Sequence, residues 1–231
     1  AAYLLYPNRA RLEKGGVLIV GLGCESNQLA SLLATLPPGG PPIRTLIAQT
    51  CPDELATGLA SVLRSGARAG DVVAVAGTLG RSAAGLAILT AVDDGLVPAP
   101  GSDDVVATYL RPDPPLEAGP EAAHAGASAM LDVSDGLLRD AGRIAAASGV
   151  SLALERRLLV PDVEALEIAA EQVAADPLAW VLTGGEDHAL LATFPADATL
   201  PFRLIGSVVA GEGVTLDGEV SAVVGWDHFG G

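Results

Sequence analysis

Lysine is nearly absent from this chain of 231 residues: Lys14 is the only one, and every other basic residue is arginine. Thirteen basic residues face 28 acidic ones, a formal net charge of -15. Binding a polyanion requires clustered cations, and the lack of any such run excludes a nucleic-acid surface. A protein of the membrane surface would need the same missing patch. No apolar run is long enough to span a bilayer. The opening AAYLLYPNRARLEKGG lacks the ordered basic, apolar and cleavage regions of a secretory signal. Cysteine is scarce too. Cys24 and Cys51 do not make a disulfide framework, so the expected compartment is the reducing cytoplasm. The chain does not begin with methionine, from which we expect a fragment or a processed chain.

What remains is half hydrophobic but only 3% aromatic, punctuated by 28 glycines and 16 prolines. That composition describes a folded protein with an Ala/Val/Leu core, as one large domain or one domain with a small appendage. Charge marks the boundary. Residues 1-52 carry Arg9, Arg11, Lys14 and Arg44 against Glu13 and Glu25, so the acidic excess belongs wholly to residues 53-231.

The first segment reads as a strand (16-21), a helix (26-36) and a second strand (44-49), separated by LPPGGPPI, which no helix can cross. A parallel βαβ-like unit is the plausible arrangement. From residue 53 the pattern lengthens. Strands are expected at 71-77, 128-134, 151-155 and 188-194, and helices at 82-92, 103-110, 114-126, 135-149 and 162-174. A hairpin meander is expected from Phe202 to Val220. Leu137, Ala141, Ile144 and Ala145 form one apolar helical stripe, continued by Ser148. Strands and helices mix without strict alternation, so the fold class is α/β with a mixed, partly antiparallel sheet and helices packed on it.

Four stretches could carry chemistry. LDVSDG at 131-136 is the most informative. On a strand, Met130, Asp132 and Ser134 share a face, and the chain then turns into a helix at Asp135-Gly136. Two carboxylates suit a hard divalent cation and a helix N-terminus suits a phosphate. Equally, Ser134 or Asp135 is only a helix cap. TGGEDH at 183-188 combines two glycines, which let backbone approach a ligand, with Glu186-Asp187 before an apolar strand, or else it is an acidic turn. LRSGARAGD at 63-71 offers Arg64 and Arg68, whose forks match phosphate oxygens, although a solvated surface arginine is the commoner outcome for Arg68. GWDHF at 225-229 supplies Trp226, either a stacking platform or an anchor packed on the sheet. AGTLGRSAAG at 76-85 opens a helix between glycines but is not the P-loop pattern and has no lysine.

Taken together and in order, RSGARAGDVVAVAGTLGRSAAGLA, LRPDPPLEAG, SAMLDVSDGLLRDAGRIAAASGV, WVLTGGEDHALLATFP and GWDHF resemble the C-terminal half of the thiamine-monophosphate kinase family, over about residues 60-229. The resemblance implies ATP-dependent phosphoryl transfer to thiamine monophosphate, giving thiamine diphosphate. It implies Mg²⁺ at Asp132 and Asp135, and ATP contacts at Arg64 and Ser134. It also implies substrate contacts at Glu186 and Trp226, to the amine and the aromatic ring. Phosphoryl transfer between polyanions needs charge neutralisation and positioning rather than a covalent nucleophile. With no lysine after Lys14, metal and arginine must supply it.

One departure is large. The family's N-terminal half, with its Gly-Asp-Asp-Ala motif and further metal aspartates, does not appear in the sequence. The family dimerises through that half, so a homodimer, or a partner supplying the missing half, is expected, and this chain alone is expected to be weak or inactive. A non-catalytic rearranged fusion, serving as a binding module or scaffold, is the alternative. Residues 1-52 instead resemble part of the altronate and galactarate dehydratase family, through YPN at 6-8, VLIVGLGCESNQ at 17-28 and RTLIAQ at 44-49. That resemblance implies a third reading, a sugar-acid dehydratase fragment, and a metal-ligand role for Cys24 without evident companions, against the commoner outcome of a buried or incidental thiol. GLGCES fails the dinucleotide fingerprint, because Ser26 stands where its third glycine should be.

Overall fold

Residues 17-21, 43-47 and 64-221 are described by the computed structural model of the chain. The readings at Cys24, at the helix over 26-36 and at Trp226 lie outside them. In the first segment β1 (Val17–Gly21) pairs in parallel with β2 (Ile43–Ile47), as a βαβ-like connection requires.

The rest builds one seven-stranded sheet. Its strands are β3 (Val72–Ala76), β4 (Ala129–Val133), β5 (Ser151–Leu154), β6 (Ala189–Phe194), β7 (Arg203–Val209), β8 (Gly213–Leu216) and β9 (Glu219–Val220), in the order β4-β6-β3-β7-β5-β8-β9. Every pairing is antiparallel except β5 with β8. Mixed and mostly antiparallel, the sheet is of the expected class.

The continuous apolar run of β3 is buried on both faces. Val73 and Val75 point into the larger core, with Ile88, Leu137, Ile144, Leu166 and Leu191. Ala74 points the other way, to a smaller core with Ala122, Met130, Ala192 and Phe194. Such two-sided burial is why the strand shows no polar alternation. On the larger face lie α1 (Arg81–Asp93) and α4 (Leu137–Ser148); α1 packs against α2 (Asp103–Leu110), and α4 rests on β4, β5 and β8. The other face is covered by α3 (Ala118–His124) and by residues 198-202. The expected stripe of α4 is buried at Leu137, Ala141, Ile144 and Ala145, and its terminal Ser148 accepts from the N–H groups of Gly66 and Ala67 and donates to the carbonyl of Arg64.

Two expectations need correction. The helix expected at 162-174 is two helices, α5 (Val160–Glu164) and α6 (Glu167–Val173). Asp162 holds α5 to Arg203 at the start of β7: Nη2 of Arg203 donates to Oδ1 at 2.8 Å and Nη1 lies 2.8 Å from Oδ2 as an ion pair, whereas α6 packs on α1. The chain bends at Ala165-Leu166 to satisfy both. A further helix, α7 (Pro177–Thr183), is capped by Asp176, which accepts from the N–H of Leu178, and starts with proline at its first position.

The expected meander is also different. β7 and β8 follow one another in sequence, yet β5 lies between them, so they form no hairpin. Only β8 and β9 do, through Asp217 and Gly218, both with positive φ, as a two-residue Asp-Gly turn demands.

Candidate active site

β6 runs antiparallel between β3 and β4, pairing Leu190 with Ala76 and Ala189 with Val133. The C-terminal ends of β3 and β4 and the start of β6 therefore meet at one end of the sheet. Three loops converge there, from the GTLG, DVSDG and GGEDH stretches.

Backbone contacts hold these loops together. The N–H of Glu186 donates to the carbonyl of Ser134 at 3.0 Å, and the Ser82 hydroxyl donates to the carbonyl of Glu186 at 3.0 Å. Glycine is required at the contacts. A Cβ on Gly185 would collide with the Ser134 carbonyl, and one on Gly136, whose φ is +110°, would sit 2.6 Å from the Thr183 carbonyl oxygen. Glu186 and His188 have φ of 68° and 53°, a left-handed backbone that costs non-glycine residues energy and persists only where surroundings impose it. In this conformation His188 Nε2 lies 3.5 Å from Glu186 Oε2.

The surroundings that impose it centre on Asp187. Its buried carboxylate accepts from the N–H groups of Gly80, Arg81 and Ser82, at 2.9, 3.0 and 3.2 Å, with the Thr78 hydroxyl at 3.4 Å. α1 has Gly80 at its cap position and no side-chain cap of its own, so a residue 107 positions away caps it. Burial pushes the Asp187 carboxyl up to about 6, against the opposing pull of those N–H groups. The first N–H groups of α1 are already taken by this carboxylate.

The turn after β4 is closed by a residue of the helix that follows. Asp140 accepts from the N–H groups of Ser134 and Asp135, at 3.0 and 2.9 Å. Gly136 stands at the cap position of α4, which has no side-chain cap, so neither Ser134 nor Asp135 is the helix cap considered above. Arg143 bridges Asp140 and Asp135 with one guanidinium nitrogen on each. Burial pushes the Asp140 carboxyl above the usual range, opposed by the Asp135 N–H and Arg143, while the charges of Asp135 and Asp132 push it further up. Asp132, near the end of β4 on the Met130 side, is exposed, and Ser134 lies just beyond the strand.

Asp132, Ser134, Asp135 and Glu186 thus come together at one end of the sheet. Arg64 does not share that end. Its carbonyl meets Ser148, at the far end of the 12-residue α4, roughly 18 Å along the helix from the DVSDG turn. Arg68 is exposed. Among the described residues no three His, Cys, Asp or Glu side chains group as a metal site. Two carboxylates on one turn still fit Mg²⁺, which takes one or two protein carboxylates and completes its shell with phosphate and water. Sequence reasoning missed Asp140, Arg143 and Asp187 as the groups that position these loops. The signal for the first two was there, an acid in the first turn of a helix with arginine three residues on. Asp187 stood beside Glu186 with nothing local to tell their roles apart.

A mixed sheet with this loop junction defines a class, the C-terminal domain of AIR synthase related proteins. The model of that family matches residues 68–219, and the chain belongs to it. Within it, the chain is similar to thiamine-monophosphate kinases. It is 47% identical over 176 residues to the enzyme of Mycobacterium tuberculosis strain H37Rv, covering 75% of this chain and 51% of the relative. With the enzyme of Aquifex aeolicus it shares 37% over 169 residues, 72% of this chain and 54% of the relative. Among solved structures, one described as "AaThiL complexed with AMPPCP and TMP" superposes with a TM-score of 0.62 at 35% identity, covering 72% of this chain and 53% of that one. The thiamine monophosphate kinase crystal structure from Aquifex aeolicus gives 0.59 at 34%, covering 69% and 54%. The chain spans about half the length of the curated relatives it matches.

Proposed function

We propose that this chain contributes the C-terminal half of an ATP- and Mg²⁺-dependent phosphotransferase that converts thiamine monophosphate to thiamine diphosphate. The observation that carries this reading is the bond from the Glu186 N–H to the Ser134 carbonyl, which sets the acidic substrate arm beside the DVSDG turn. Asp132 and Asp135 would hold Mg²⁺, which when bound neutralises phosphate charge. Ser134 contacts ATP, and Glu186 and Trp226 receive the cationic and aromatic parts of the substrate. Arg64 is assigned to ATP as well, on the resemblance of its motif alone, since its backbone lies at the other end of α4.

These residues position and neutralise, and none acts as a covalent nucleophile. That matches a transfer in which placement and electrostatics do most of the work. Two phosphorylated ligands and one wall of carboxylates leave a second wall to be supplied, so we infer a homodimer or a partner carrying the remaining half. We also assign the chain to the cytoplasm, on its two cysteines; among the described residues no helix is long and apolar enough to cross a membrane.

ADP release coupled to a reporter tests the reading. Turnover that requires thiamine monophosphate and disappears in Asp132→Asn is expected. Absence of turnover, alone and with the matching half of a relative added, refutes it. A non-catalytic binding or scaffold role is the second reading. It is favoured by one observation, that Asp135 is already engaged by Arg143. Turnover lost in Asp132→Asn excludes it.

A further inference from the structure

We infer that Asp187 is a positioning residue for the substrate arm: by clasping the first turn of α1 it fixes Glu186 in its left-handed conformation and aims that residue across the DVSDG turn. The inference rests on the assignment of Glu186 to the substrate.

The geometry runs through two short paths. In the first, the Asp187 carboxylate spans the N–H groups of Gly80, Arg81 and Ser82. Ser82, held in this way by its N–H, returns its hydroxyl to the carbonyl of Glu186. The residue next to Asp187 is thereby tied to the same helical turn. In the second, the N–H of Glu186 reaches Ser134, whose own N–H is held by Asp140. Glu186 is gripped at both its N–H and its carbonyl, by two different loops, and its side chain stays exposed. An exposed carboxylate on a backbone held at both ends has lost most of the freedom that a ligand would otherwise have to remove.

A cap serving only the helix would need neither the positive φ on both sides of it nor the Ser82 return bond. Glu186 and His188 both adopt φ values that non-glycine residues avoid, and Asp187 lies between them. Those conformations turn the Asp187 side chain inward to α1 while its neighbours face out. Removing the inward anchor releases the strain, and the backbone of Glu186 relaxes.

The test compares the wild-type chain with Asp187→Asn and Asp187→Ala, using calorimetry with thiamine monophosphate and with a non-hydrolysable ATP analogue plus Mg²⁺, and amide hydrogen exchange without ligand. Asn keeps one acceptor oxygen, so it should retain part of the function. Thiamine monophosphate is expected to bind at least tenfold more weakly to the Ala variant and less so to the Asn variant, with analogue affinity within twofold. Unchanged affinity for thiamine monophosphate overturns the inference, and so does equal loss of both ligands, which marks a general structural role. If the wild-type chain binds neither ligand, the functional reading fails on its own, and exchange decides the positioning. Loss of protection at the Glu186 N–H in Asp187→Asn upholds it, and retained protection there overturns it.

Discussion

Asp140 and Arg143, one helical turn apart on α4, share the work of holding Asp135: Asp140 accepts from its N–H and Arg143 pairs with its carboxylate. The turn that presents Asp132, Ser134 and Asp135 is therefore organised from inside the next helix. The side chain of Asp140 is wholly buried and that of Arg143 is one-third exposed.

Asp140→Ala should cost about 3 kcal/mol of stability, near the low end for breaking a buried ion pair because Arg143 keeps access to water. Two N–H groups lose their acceptor as well. Urea unfolding measures the loss. A cost under 1 kcal/mol would contradict the role given to this carboxylate.

Gly185→Ala should separate the loops. Its Cβ would collide with the Ser134 carbonyl, which is backbone and cannot swing aside. Overpacking of this kind costs about 1–3 kcal/mol. Thiamine monophosphate affinity should fall together with the urea midpoint, as calorimetry and unfolding on the same sample will read.

Stability should change with pH through Asp187. The folded carboxyl sits at about 6, above its ordinary value of 3.8, so the folded state holds the proton more tightly than the unfolded one. The contribution is fully present below pH 3.8 and is lost as pH rises to about 6, a loss of about 3 kcal/mol. Asp140 and Asp162, also raised chiefly by burial, act in the same direction. Urea unfolding of the wild type and Asp187→Asn between pH 4 and pH 7 checks this. The wild type should lose about 2 kcal/mol more across the interval, since part of the contribution is already gone at pH 4, and parallel curves would contradict the assignment.

Ser148→Ala should loosen the segment that carries Arg64. The hydroxyl accepts from the N–H groups of Gly66 and Ala67, and without it both lose an acceptor, at about 1–2 kcal/mol. Trypsin cleavage after Arg64 should then accelerate severalfold. Intact-mass spectrometry over a digestion time course measures the rate.

Local pattern carried the fold well wherever a single element decided it. The α4 stripe, the two-sided run of β3 and the DVSDG entry to a helix were all legible, because each depends on neighbours within a few turns. Topology was less so. Nothing local in the 202-220 stretch says that β5, from fifty residues earlier, will part β7 from β8, since that order is set by long-range pairing. The break at Leu166 likewise follows from the pull of Arg203 on Asp162, which only the folded chain brings together. At the site, the motifs named Asp132, Ser134, Asp135 and Glu186, which the fold brings to one end of the sheet. Of the groups that hold them, Asp140 and Arg143 left a local signal in their spacing of three, whereas Asp187 acts on the first turn of α1, more than a hundred residues away, and is invisible to spacing. Arg64 shows the converse, a residue named by motif whose backbone lies a helix length away from the others.

In the function proposed above, the DVSDG turn and the GGEDH arm form one site for thiamine monophosphate and a Mg²⁺-nucleotide. Calorimetric titration of thiamine monophosphate into the chain, with Mg²⁺ and a non-hydrolysable ATP analogue present, tests it most directly. Saturable binding that weakens at least tenfold in Glu186→Gln is the predicted result. No heat with either ligand, or equal binding by the Gln variant, would contradict it.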